Sequence, residues 1–167
     1  MLVVFGGLPG TGKTTIARAL ATRRPAAYLR IDEIEQALRS AAVLAGEVGP
    51  AGYVIGNALA ASNLALGRTV IVDCVNPVPE SREAWRETAT RANAALLEIE
   101  IVCSDPVEHR RRVEQRSADI AGLALPSWQA VLDRNYAPWP EPHLVIDTAR
   151  LTVEEAVERV EQEMRAG

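Results

Sequence analysis

Residues Gly7-Leu8-Pro9-Gly10-Thr11-Gly12-Lys13-Thr14 fill every fixed position of the pattern G-x-x-x-x-G-K-[ST]. Few octapeptides restrict a fold so strongly, because such a loop works only between a buried strand and a helix. Both are present. Leu2-Val3-Val4-Phe5 is a short apolar run suited to a buried strand. Thr15-Ile16-Ala17-Arg18-Ala19-Leu20-Ala21 forms a helix readily, with Ile16, Ala19 and Leu20 spaced for one face.

Each residue type in the loop has a chemical use. The glycines let the backbone curl with its N–H groups turned inward and leave room for phosphate oxygens. The following helix points its positive end at the same anion. Lys13 can reach the β- and γ-phosphates, and the Thr14 hydroxyl can ligate magnesium. Lys13 is the only lysine in the chain; every other basic residue is arginine. Gly7, Leu8, Pro9, Gly10, Thr11, Gly12, Lys13, Thr14 and Thr15 are therefore expected to bind a nucleoside triphosphate. ATP is the first expectation, and the motif does not choose between it and GTP.

At 167 residues the chain is expected to be a single domain over 1–167. The net charge of −4 gives no overall basic field for nucleic acid or an anionic membrane. No apolar run approaches the roughly 20 residues of a membrane helix, and the N-terminus has no signal-like segment. Cys74 and Cys103 form no metal or disulfide pattern, so a reduced, cytoplasmic protein is expected.

Strands are expected at 26–31, 69–73, 96–103 and 143–147, alternating with helices at 32–44, 53–66, 80–92, 105–116 and 126–136. A last helix follows Thr152-Val153-Glu154-Glu155. Asp105-Pro106-Val107-Glu108 is a strong helix start, and Thr152 with Glu155 has capping-box spacing. This alternation predicts an α/β fold with three layers, a five-stranded parallel sheet between helices. Ligands should bind beyond the carboxyl ends of its strands. The loop 7–14, Asp32, Asp73 and Ser104 all fall there.

Asp73 ends an apolar strand, where a carboxylate can serve magnesium together with Thr14. Asp32 follows the second strand. It can cap the next helix, with Glu35 completing a capping box, and it can also accept a proton from an attacking hydroxyl. Glu35 and Arg39 have the spacing of an outer-face ion pair. Arg112 and Arg116 lie one helical turn apart, leading into a loop at Ser117–Leu125, and could clamp phosphates. Arg110 and Arg111 read as a solvated face. His109 and His143 read as structural, and Trp128, Tyr136 and Trp139 as core or pocket wall.

With these residues in place, the chain resembles small P-loop kinases of the AAA_33 type, whose relatives include chloramphenicol phosphotransferase, zeta-toxin-type, gluconate and polynucleotide 5′-hydroxyl kinases. The resemblance rests on Gly7–Thr15, Tyr28–Asp32, Gly67–Asp73, Arg82, Arg112–Arg116 and the strand ending at Asp147. It implies that Asp32 is the base, that Arg112 and Arg116 serve a lid at about 117–125, and that Arg82 lies near the acceptor. It also implies a wall for the acceptor between Asp32 and Tyr53. Many relatives have arginine three residues after the aspartate; Glu35 stands here instead, which leaves a neutral or cationic acceptor open. The expected activity is ATP- and magnesium-dependent transfer of the γ-phosphoryl group to a small-molecule hydroxyl, with Lys13, Asp32 and Arg116 catalytic. A polynucleotide or nucleoside 5′-hydroxyl kinase and a non-transferring NTPase switch are the alternatives.

Overall fold

A computed structural model describes residues 1–41 and 46–166. Its strands are β1 (Leu2–Gly6), β2 (Ala26–Arg30), β3 (Thr69–Asp73), β4 (Leu96–Val102) and β5 (Leu144–Asp147). Its helices are α1 (Lys13–Arg23), α2 (Ile31–Ser40), α3 (Ala51–Ala65), α4 (Pro79–Arg91), α5 (Pro106–Gln115), α6 (Trp128–Leu132) and α7 (Val153–Ala166). The five strands form one parallel sheet in the order β2-β3-β1-β4-β5. From β1 the chain first builds β2 and β3 on one side, then crosses to build β4 and β5 on the other. The strand order therefore reverses at β1, and a crevice opens beyond its carboxyl end.

The uninterrupted apolar run of β1 follows from this placement. Val3 and Phe5 join Ile16, Leu20, Ile71, Ile99 and Val157 on the face covered by α1 and α7. Leu2 and Val4 point the other way, to Ile31, Leu64, Val72 and Trp85 beneath α3 and α4. A strand buried on both faces needs no polar alternation. The predicted caps form: the Asp105 carboxylate accepts from the Val107 and Glu108 amides, and Thr152 and Glu155 bond reciprocally.

Several boundaries differ from expectation. β2 ends at Arg30, and α2 begins at once with Ile31, so Asp32 sits inside the first turn. Arg30 holds the N-cap position and no side chain caps this helix, so the capping role expected for Asp32 is not observed. α2 is helical to Ser40; the expected continuation over 42–44 lies outside the described residues. α6 is shorter than expected, with Ser127 as its cap.

Arg82 braces the loop after β3. It is 1% exposed and donates to the carbonyls of Asn76, Pro77, Ala137 and Pro138. Its guanidinium lies 4.4 Å from the Trp139 ring centroid. One side chain thus ties α4 to the loop after β3 and to the 136–140 segment. Arg82→Leu should strand four carbonyls in a buried setting and cost about 3 kcal/mol or more. That corresponds to a fall in melting temperature of roughly 10 °C. A thermal unfolding midpoint within 2 °C of wild type would refute the clamp.

Candidate active site

The glycine-rich loop leaves β1 at Gly6 and enters α1 at Lys13. Gly7 and Gly10 take φ of 139° and 85°. A Cβ at Gly7 would lie 2.3 Å from the Ile101 carbonyl oxygen, and one at Gly10 2.5 Å from Val113 Cγ2. Side chains fit at neither position. The loop is braced from outside by distant residues. His109 Nε2 lies 2.8 Å from the Pro9 carbonyl oxygen, so Nε2 carries the proton and donates. The Thr148 hydroxyl donates to the Thr11 carbonyl at 2.7 Å, and Thr11 turns its own hydroxyl onto Leu8 O. Gly7, Leu8 and Thr11 thus shape the loop, while Pro9, Gly10, Gly12, Lys13, Thr14 and Thr15 line the space it opens onto.

That space is a cavity of about 1060 Å³. Eight basic side chains and three acidic ones line it, in a chain whose net charge is −4. This local surplus is the field a polyanion needs. At its floor the α1 N-terminus carries neither a side-chain cap nor an acidic residue in its first turn, which leaves its amides free for an anion. Lys13 is 6% exposed and, among the described residues, makes no ion pair. A buried ammonium without a carboxylate is costly unless an anion arrives.

Arg116 is in a similar state. It caps the end of α5 with extended backbone and lines the cavity, and its Nε is buried without a hydrogen-bond partner. Burial pulls its pKa down, and Asp32 opposes that pull. Arg112 behaves differently. It donates to Glu108 at 2.7 Å, to the Thr148 hydroxyl at 2.8 Å and to the Thr148 carbonyl at 3.1 Å. The two arginines do not share a helical face, because α5 ends at Gln115 between them.

Asp32 lines the same cavity with Glu35, Gln36 and Tyr53, and its charge acts on Arg116. Glu35 pairs with Arg39 at 3.2 Å as expected, but it faces the cavity rather than the outside. Burial pushes its carboxyl above the usual range. Asp73 is 2% exposed and lies beside Arg30, which lines the cavity. Its Oδ2 accepts from Tyr28 at 2.9 Å and sits 3.7 Å from Arg30 Nε; among the described residues Oδ1 has no hydrogen-bond partner. No three His, Cys, Asp or Glu among the described residues gather into a metal site. One hydroxyl and one carboxylate do suit a hard cation that takes its remaining ligands from phosphate and water.

The sequence reading missed Arg30 and Asp119. Arg30 is buried at the end of β2 and holds the Asp119 carboxylate through two bonds of 2.7 and 3.0 Å. Arg18 adds a contact of 2.8 Å. The Arg30 hydrogen bonds are the first cause of the fall of the Asp119 pKa to about 2. An unfolded aspartate titrates near 3.9, so the pair contributes its stability above about pH 4 and loses it as the pH falls toward 2. The only local signal was a charged residue ending an apolar strand.

No helix among the described residues is long and apolar enough to cross a membrane. The AAA_33 family, described as an AAA domain, matches residues 2–134. Uncharacterised proteins of Mycobacterium tuberculosis and Mycobacterium bovis are 30% identical over 160 residues, covering 89% of this chain and 32% of theirs. The chain thus spans about a third of the length of these curated relatives. Among solved structures, a sugar kinase from Janibacter superposes with a TM-score of 0.72 at 18% identity, covering 98% of this chain and 94% of that one. The Mycobacterium tuberculosis APS kinase in complex with AMPPNP and APS gives 0.74 at 18% identity, with coverages of 98% and 96%. With its glycine-rich loop at the carboxyl end of β1 and its family match across most of its length, the chain belongs to the AAA_33 family and has the fold of the P-loop kinases.

Proposed function

We propose that this protein is an ATP- and magnesium-dependent phosphotransferase acting on a hydroxyl of a small molecule. The observation that carries the reading is one cavity lined by Lys13 and Arg116, which make no ion pair among the described residues, by an uncapped helix N-terminus, and by the Asp32 carboxylate. The loop amides and Lys13 hold the β- and γ-phosphates. Thr14 and Asp73 would hold magnesium, which would supply charge neutralisation at the phosphates. Asp32 orients the acceptor hydroxyl and takes its proton as that oxygen bonds to the γ-phosphorus. The bond from the γ-phosphorus to the bridging oxygen breaks, and ADP leaves with the electron pair. Arg116 meets the charge that develops on the transferring group.

ADP release measured with hydroxylated metabolites, antibiotics, nucleosides and a 5′-hydroxyl oligonucleotide tests the reading. The oligonucleotide belongs in the set because the basic lining also suits a nucleic-acid end. Release no faster with any acceptor than without one would overturn the transfer reading. Arg116→Ala should lower turnover about a hundredfold; turnover and nucleotide affinity both within twofold of wild type would remove Arg116 from the mechanism.

The 117–125 segment acts as a lid over this site. Its Asp119 is latched to Arg30 and Arg18, while Leu123, Ala124 and Leu125 face the cavity. Asp119→Asn keeps the size of the side chain and removes the charge. It should speed amide exchange through 117–125 while leaving the sheet protected. Unchanged exchange there would show that the latch holds nothing.

A further inference from the structure

A second cavity of about 890 Å³ runs between the outer faces of α3 and α4. It shares two residues, Tyr53 and Pro77, with the cavity described above. The groove begins at the rim beside the α3 N-terminus and follows both helices to Ala65 and Ala92. Ala58, Ala61 and Ala84 keep it open, and Val54 lies 64% exposed along it. Glu80 and Arg91 stand along it as charged side chains, and its neutral polar groups are engaged with one another or with backbone. The Thr88 hydroxyl donates to Asn57 Oδ1 at 2.6 Å, and Asn57 Nδ2 donates to the Tyr53 carbonyl at 2.9 Å. Between those charges, a floor of alanines and internally bonded neutral groups offers an occupant mainly apolar contact.

The shared wall gives that occupant an orientation. Tyr53 holds its hydroxyl on the Asn76 amide at 2.9 Å and shares the near cavity with Asp32 and Glu35, while its other side belongs to the groove. We propose that the groove is the distal half of the acceptor site, and that the acceptor is an amphipathic alcohol. Its hydroxyl lies at Asp32, and its aryl or alkyl body passes over Tyr53 and Pro77 into the groove. This rests on the phosphotransferase reading, and the Glu35 carboxylate beside Asp32 in the first cavity agrees with a body that carries no anion.

Calorimetry on the full chain saturated with AMPPNP and magnesium tests it, with glycerol, 1-O-benzylglycerol and 1-O-octylglycerol as probes. The two ethers should bind at least about tenfold tighter than glycerol, as burial of an aryl or octyl group implies. Ala61→Trp and Ala58→Leu, both at exposed positions, should each shrink that advantage to about twofold and leave AMPPNP affinity unchanged. Equal binding of glycerol and the ethers, or an advantage that survives both variants, overturns the proposal. So does a dimer in sedimentation that Ala61→Trp dissociates, which would assign the groove to a second copy of this chain. Groove-dependent ether binding without ADP release from any alcohol upholds the apolar subsite and overturns the transfer reading instead.

Discussion

Asp32→Asn should melt near the wild-type temperature, bind ATP normally and transfer phosphoryl groups at least about a hundredfold more slowly. Asparagine keeps the size and one oxygen of aspartate but cannot accept the acceptor's proton. The structure sharpens this test. No side chain caps α2, so the substitution removes no capping bond. The larger cost to the fold is a negative charge lost from a helix's first turn, about 0.3–1 kcal/mol. Loss of the attraction between Asp32 and the Arg116 and Arg30 guanidiniums is a second, small one. A variant that transfers near the wild-type rate would move the base elsewhere. Glu35 would be examined first, since it lines the same wall and its burial already favours proton uptake.

Lys13→Ala should abolish the stabilisation that ATP with magnesium gives, while the unliganded protein stays folded. At a hundred times the dissociation constant, the wild type should gain about 2.7 kcal/mol from the ligand. Lys13 makes no ion pair among the described residues, so its removal strands no carboxylate. Alanine is also a good helix former at the start of α1. The unliganded melting temperature should therefore hold or rise slightly. Thermal melts with and without nucleotide read both halves at once. An ATP-induced shift that survives the substitution, or the absence of any shift in wild type with ATP and with GTP, would sink the nucleotide assignment.

The loop, the strand alternation and the capping residues of α5 and α7 were legible because each is local. Their spacing meets a backbone requirement within a few residues. Asp32 showed the limit of that method. Asp32 and Glu35 have capping-box spacing, yet β2 runs into α2 without a break, and the register fell two residues from the one the spacing implied. Arg82 and Arg30 were illegible for another reason. Each depends on partners far along the chain: Arg82 on two of its four carbonyls, 55 and 56 residues away, and Arg30 on a carboxylate 89 residues away. Nothing in the local sequence of either announces such a partner. The groove between α3 and α4 was hidden for the same reason, since it depends on how the two helices lie together rather than on any motif.

The braces on the glycine-rich loop bear on when a growing chain acquires its ligand. The eight motif residues emerge before the residues that brace them: Pro9 waits for His109, 100 residues later. Thr11 waits for Thr148, 137 residues later. A nascent chain that has delivered β1 and α1 therefore holds the motif without the supports that keep its amides converged. The octapeptide is not a portable module: moved to another strand–helix junction without these two supports, it would have to be ordered by the nucleotide itself, at the expense of affinity.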